Sequence, residues 1–328
     1  MAALVSPLPI EVPLAPALLS QRRLKLRRMV PTEGFGAHRH RRMGQSLTFR
    51  EYRDYQRGDD ARTIDWAASH RMSHRVVRTF EAEERRTLFI FVDWRPTMWL
   101  PVGADKLTIA LWIVQCLYQA AFAEGDRVIV STLFGPLDNK PVTLNGGRSH
   151  AEFLRVMDTL RREGPDSDAD WRAEPKANVA YARRLLEPAS SVVLITDALF
   201  RDTSSDAAAL ARAAQQSYRS FHMIELDSWP MEKALLTQGA FRLGGIGARQ
   251  AASSLTEITE AQLSEAEHRL AQHKAALKRR FQGPGLVWPD QPLSWPETVE
   301  ITPKAVSDWF ANRFLQAHVL PSLWSRAA

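Results

Sequence analysis

A single cysteine, Cys116, in 328 residues rules out an intramolecular disulfide, and its apolar surroundings assign the thiol a structural place in a reducing compartment. Long apolar runs are almost as scarce. Leu107 to Ala123 is free of charge over 17 residues, but Thr108, Gln115 and Gln119 interrupt it and strand-like segments crowd its ends. The stretch reads as a buried helix, and no membrane span is expected. The proline-broken apolar start Met1 to Pro9 precedes its positive charge, the reverse of a secretory signal, so no export is expected. The expected location is cytoplasmic. No phosphate-binding loop occurs, since Gly244-Gly245-Ile246-Gly247 lacks the lysine and hydroxyl pair and marks a tight turn, so nucleotide hydrolysis is not expected. Metal-ligand spacing is poor as well. His70 and His74 lie four apart, but no glutamate follows His70 and Arg71 and Arg75 crowd the pair, while His38 and His40 fall among arginines.

What is present is ordinary globular composition, 45% hydrophobic and 24% charged, enough for one large core with appendages or two small domains. The formal charge of +6 comes from 43 basic residues set against 37 acidic ones. Most charge is therefore compensated locally, and net charge says little about partners.

Three blocks follow one another. Residues 1–86 hold a Pro-rich segment, expected as a loose arm over 1–20, then basic residues from Arg22 to Arg28, then a stretch dense in charge and aromatics that ends in the strand Val76 to Phe80. Residues 87–230 alternate strands and helices: strand Leu88–Val92, helix Lys106–Glu124, strand Arg127–Phe134, a turn at Asn145-Gly146-Gly147, helix His150–Arg162, helix Val179–Leu186, strand Ser191–Thr196, helix Asp206–Tyr218, strand Phe221–Leu226. That alternation predicts a doubly wound, mostly parallel sheet of Rossmann-like α/β type. Residues 231–328 read as a helical, Trp-rich tail. There, Thr259 and Gln262 form a capping box for a helix reaching Phe281 whose face is Leu263, Ala266, Leu270 and Leu277, and Trp288, Trp295, Trp309 and Trp324 pack the tail down.

The most informative junction is Asp93. It closes the charge-free run Thr87 to Val92, which reads as a strand buried on both faces, and a carboxylate there points into the crevice where open α/β sheets hold ligands. The charged block supplies a second candidate. Arg53, Arg57 and Arg62 interleave with Asp54, Asp59, Asp60 and Asp65, the composition of a salt-bridge scaffold with Trp66 as apolar anchor, or else of a partner-docking surface.

Arg39 to Ser69, which includes Tyr52-Arg53-Asp54-Tyr55-Gln56-Arg57-Gly58-Asp59-Asp60 and Arg62-Thr63-Ile64-Asp65-Trp66, together with Val77 to Glu83, resembles the signature of the domain-of-unknown-function 58 (DUF58) family. The resemblance covers about residues 20–230. It implies a von Willebrand factor A-like core and, because members accompany MoxR-type AAA+ ATPases, a non-enzymatic protein-binding role as partner or client adaptor of such a chaperone-like ATPase. The family-signature network would comprise Arg53, Gly58, Asp59, Asp60, Arg62, Asp65 and Trp66.

A von Willebrand A domain carries a metal-ion-dependent adhesion site (MIDAS) of hard oxygen ligands. By resemblance Asp93 and Asp197 take its carboxylate positions, Arg95 replaces the first serine, Thr97 stands for the second, and Ala177 or Asn178 falls at the loop threonine. Two readings stay open: a site in which Arg95 substitutes for the ion, with no cofactor, or a degenerate Mg²⁺ site on Asp93, Thr97 and Asp197. A nucleic-acid-binding protein is the rival class. Residues 21–50 hold nine Lys or Arg against one acid, Glu33, although only Phe35 and Phe49 could stack on bases.

Overall fold

A computed structural model describes residues 6–15, 22–24, 47–56, 62, 64–82, 87–135, 137, 140–164, 184, 186, 190–201, 206–215, 220–238, 240–241, 256–283, 286–288, 291–297, 301–315 and 324–326. The chain divides into two compact bodies, one of residues 30–85 and one that joins 1–29 to 86–328. In chain order the elements are β1 (Arg22–Leu24), β2 (Leu47–Asp54), α1 (Trp66–Met72), β3 (Val76–Ala82), β4 (Thr87–Asp93), a 3-10 turn (Pro96–Trp99), α2 (Lys106–Ala123), β5 (Arg127–Leu133), β6 (Val142–Leu144), α3 (Gly147–Glu163) and β7 (Ser191–Thr196). They continue with α4 (Asp206–Gln215), β8 (Ser220–Asp227), α5 (Trp229–Leu236), β9 (Ala240–Phe241), β10 (Thr256–Glu257), α6 (Glu260–Arg280), β11 (Leu286–Val287), β12 (Leu293–Ser294), α7 (Pro303–Leu315) and β13 (Trp324–Arg326).

The larger body is built on a sheet of order β11-β8-β7-β4-β5-β6, with β12 also on β8. Every pairing in it is parallel except β6 on β5. In β4, Leu88, Ile90 and Val92 enter one core with α2, α3 and α7, while Phe89 and Phe91 enter the other with α4 and the end of α6. Alternate side chains of one strand thus feed two apolar layers, which is why the run reads as continuously hydrophobic. This is the doubly wound α/β architecture that the alternation of elements predicts. Helix α2, the one candidate span among the described residues, has 83% of its apolar window buried inside the protein, as a core helix does.

The boundary drawn at 230/231 from composition does not delimit a separate tail. Both β11 and β12 extend the sheet beyond β8, and Trp295, Val306, Phe310 and Phe314 lie in the core beside α2. Trp295 also contacts Trp309 at 4.8 Å between ring centroids, and Trp288 sets its edge against Phe281. The capping box on α6 forms as expected, with Thr259 accepting from Gln262 N and Gln262 accepting from Thr259 N. Of that helix's expected face, Leu263 and Leu277 are the buried members.

The expectation of a loose arm over residues 1–20 fails for 6–15. This segment is tied to α2 and α3 by side-chain bonds to its backbone: Trp112 Nε1 donates to Pro9 O (3.0 Å), Gln115 Nε2 to Ile10 O (2.8 Å) and Arg161 Nη1 to Leu8 O (3.0 Å). Val12 N returns a bond to Gln115 Oε1 at 3.1 Å, and Ser6 bonds Asp105. An irregular segment needs such partners because it has no ladder of its own to satisfy its backbone. Composition registers the prolines and not the receptor side chains.

In the smaller body, β2 and β3 pair antiparallel with an irregularity between Phe49 and Glu51, and Ile64 bridges to Val77. Asp65 is the N-cap of α1, accepting from Ala68 N at 3.0 Å and from the Tyr52 hydroxyl at 3.1 Å. Trp66, expected as an anchor, is 64% exposed, because at the first helical position it sits on the outer side of α1 while Ala68 and Ser69 face inward. His70 and His74 are exposed as solvated polar residues, and His74 Nε2 lies 3.0 Å from Asp54 Oδ1. Arg53 Nη1 donates to Asp54 O, and Arg62 is exposed; Gly58, Asp59 and Asp60 lie outside the described residues.

Candidate functional site

The chain runs from β4 outward to β5 and β6 and then returns to the other side of β4 to lay down β7. The carboxyl ends of β4 and β7 therefore flank the point where the winding direction reverses, the place where such sheets open a crevice. Asp93 ends β4 and Asp197 follows β7, so the sheet register brings together two acids 104 residues apart in sequence.

Arg95 lies between them. Its Nε donates to Asp93 Oδ1 (3.0 Å) and Oδ2 (3.1 Å), and Nη2 donates to Asp93 Oδ2 at 2.5 Å and to Asp197 Oδ1 at 2.6 Å. Local chain geometry makes this possible. The Asp93 carboxylate accepts from Arg95 N at 3.0 Å, a short Asx-type turn that folds residue 95 back over residue 93. Thr196 Oγ1 adds a 2.7 Å bond to Asp93 Oδ2 and accepts from Ala198 N at 3.0 Å. Leu199 N donates to Asp197 Oδ1 at 3.0 Å, while Ala198 between them holds φ at 57°, a left-handed conformation uncommon for a side chain with a Cβ.

A second cation, Lys106, completes the cluster. At the first position of α2 it places Nζ 3.2 Å from Asp197 Oδ2 and 4.0 Å from Glu232 Oε1, a carboxylate that also accepts from Ser228 Oγ. A cation at a helix N-terminus opposes the helix dipole, so the Asp197 carboxylate is what makes that position tolerable. Lys106 is 3% exposed. Burial by itself works against the Asp197 charge, but Lys106, then Arg95, then the Leu199 N–H and Thr97 outweigh it and hold the carboxyl well below the usual carboxylate range. Burial likewise opposes the Arg95 charge, and the Asp93 and Asp197 carboxylates outweigh it, raising the guanidinium above its ordinary range. Thr97 Oγ1 is buried without completing a well-aligned hydrogen bond.

Aromatic rings flank the cluster. The Arg95 guanidinium carbon is 5.3 Å from the Phe200 ring centroid and 5.7 Å from that of Phe134, within cation–π range. Trp94 packs tightly against Gly135, where an added Cβ would come within 2.4 Å of Trp94 Cβ. From α6, His273 backs onto the Ala198–Phe200 loop. Burial lowers its pKa, the carbonyls of Ala198 and Phe200 oppose that shift, and the Arg95 and Arg201 charges reinforce it.

Of the residues singled out from sequence, Asp93, Arg95, Thr97 and Asp197 come together here, and Asn178 lies outside the described residues. Sequence reasoning missed Lys106, Thr196, Phe134 and Phe200. Only Lys106 carried a signal, as a lone cation heading a charge-free helix.

The model of the family described as "Protein of unknown function DUF58" matches residues 51–273. No curated protein matches the chain. Among solved structures it is similar to the crystal structure of the conserved hypothetical protein BatB from Bacteroides thetaiotaomicron, at 13% identity and a TM-score of 0.34, over 70% of this chain and 98% of that one. Because the family match takes in more than half of its length, and both the β2–β3 body and the site-bearing sheet up to α6, this chain belongs to the DUF58 family.

Proposed function

We propose that this chain is a non-enzymatic, von Willebrand A-like protein-binding protein that acts in the cytoplasm as partner or client adaptor of a MoxR-type AAA+ ATPase. One observation carries the reading: Arg95 bridges Asp93 and Asp197 at the reversal point of the sheet, where a ligand crevice is expected. Both carboxylates are already committed to cations, so neither is free to act as a base or nucleophile. Five parallel or edge strands wound about β4, with β6 antiparallel at one edge, support the von Willebrand A likeness.

The same geometry argues against magnesium at this site. A divalent ion needs oxygen ligands around an open position, and here Arg95 Nη2 bonds Asp93 Oδ2 and Asp197 Oδ1, while the Lys106 charge stands 3.2 Å from Asp197 Oδ2, which accepts no aligned hydrogen bond. Adaptor and ATPase divide the work in this reading: the ATPase supplies the energy, and this chain selects or presents a client protein.

Affinity capture from native lysate with and without ATP tests the proposal. The expected result is a stoichiometric AAA+ ATPase whose retention depends on nucleotide. Capture of nucleic acid without an ATPase would replace it with the rival reading, a nucleic-acid binder using basic residues 21–50.

A further inference from the structure

We propose that helix α1 docks an acidic protein segment on its outward face, Trp66, Ala67, His70 and Arg71, with Arg75 just beyond it. The proposal rests on the protein-binding function given above and supplies the chemistry of one partner. Ala68 and Ser69 are the buried residues of α1, so at about 3.6 residues per turn the other four line its opposite side. Trp66 and His70, and likewise Ala67 and Arg71, are four apart and therefore neighbours on that surface. Trp66 is 64% exposed and Met72, at the end of the helix, 45%, although Ile64, Ala68, Val76 and Val77 around them are buried. An open indole beside an arginine has the make-up of an interface anchor. Composition agrees. Residues 30–85 hold eleven arginines and no lysine. Arginine is enriched and lysine depleted at protein interfaces, because the planar guanidinium is already shaped for a carboxylate.

Charge selects the occupant. No acidic residue occurs from Trp66 to Phe80, a stretch that carries Arg71, Arg75 and Arg78. Asp65 is buried as the N-cap, and the exposed Asp54 already lies 3.0 Å from His74 Nε2. Arg71 Nε donates to Ala67 O within its own helix, and neither Arg71 nor Arg75 pairs with a carboxylate among the described residues. Two exposed, uncompensated arginines beside a tryptophan complement a segment that sets acidic residues next to an apolar one. Nucleic acid fits this face less well. Binding along a phosphate backbone draws on several cations, about 6–10 in a strong duplex binder, whereas α1 and its C-terminal flank offer two arginines, with Asp54 close to His74 to oppose a polyanion.

The test uses the isolated full-length protein and an array of ten-residue peptides, each with three acidic residues around one Leu, Phe or Trp, beside the same array with Asn and Gln in place of Asp and Glu. Members of the acidic array should bind saturably, and their amide analogues about tenfold more weakly. Trp66→Ala should lose about tenfold or more, as truncation of an interface anchor does, and Arg71→Glu a similar factor. Arg279→Glu, the same change of charge at an exposed position of α6, should bind as the wild type does. Thermal melts check that the variants fold. The best peptide, carrying a benzophenone, should crosslink to residues 66–75 of the wild type, and that result decides alone if a variant does not fold. Equal binding to the two arrays, full binding by Trp66→Ala or by Arg71→Glu, an equal loss in Arg279→Glu, crosslinks elsewhere, oligothymidine bound more tightly than every acidic peptide, or no saturable binding would each overturn the proposal. No ATPase takes part. Peptide binding at α1 without ATPase capture sinks the adaptor reading alone, and ATPase capture without peptide binding sinks only this one.

Discussion

At the scale of single residues, the cluster around Arg95 is a buried network in which each charge depends on its neighbours. Removing one partner of such a network costs far more than the network contributes, because the orphaned charge stays buried. Arg95→Ser leaves Asp93 and Asp197 with Lys106 alone, and urea denaturation should show a loss of about 3–5 kcal/mol. The serine variant restores an oxygen at a position that a metal site would use, so part of the loss should return with millimolar magnesium, while the wild type remains indifferent to the ion. Asp197 gives a pH test. Its carboxyl is held below the ordinary range in the fold, so its stabilisation is fully present above the unfolded carboxylate pKa of about 4 and fades as pH falls through the lower folded value. The stability gap between wild type and Asp197→Asn should accordingly be constant near neutrality and close only in acid. Gly135 is decided by space: Gly135→Ala drives a Cβ into Trp94, and thermal melting should record about 1–3 kcal/mol of destabilisation. Asp93, Asp197 and the change at Arg95 were legible in the sequence because each sits at a fixed offset from a strand end. Phe134 and Phe200 were not, since a phenylalanine after a strand looks the same whether it meets a core or a guanidinium.

Among elements, the N-terminal segment 6–15 shows how a stretch without secondary structure becomes part of a core. Arg161 is fully buried, and its Nη1 divides between Leu8 O and Thr108 Oγ1 while Nη2 holds Asp158. Deleting residues 1–15 would strip partners from Arg161, Trp112 and Gln115 at once. Equilibrium denaturation of that truncation should show a loss of about 3 kcal/mol or more, since each orphaned buried polar group costs about 1–3 kcal/mol. Helix α6 stands at the opposite extreme, with its start written locally and two members of its expected face, Leu263 and Leu277, buried while Ala266 is exposed. Thr259→Ala breaks the capping box and should cost about 1 kcal/mol. Caps and periodicity can be read from sequence because they depend on residues three or four apart, whereas the strap on α2 depends on residues about a hundred apart.

For the molecule as a whole, the β11, β12 and α7 segments complete the same layers as β4 and α2, so a chain ended after α6 loses Phe310 and should expose Trp112, which packs on it, and lose its cooperative melt. That outcome is checked by calorimetry on residues 1–280. A composition change near residue 230 suggested a border because helices and tryptophans replaced the strand-helix alternation, but packing follows buried area and not composition. The sequence by itself determined the α/β class, the parallel strands with their two apolar faces, the caps, and the acids at the ends of β4 and β7, because all of these follow from local period and chemistry. Tertiary structure alone decided that Lys106 joins Arg95 between those acids, that Trp66 points outward, that residues 6–15 are bound and that β11 and β12 belong to the sheet. Those outcomes depend on which distant segments share a surface, and no local pattern in a chain encodes that.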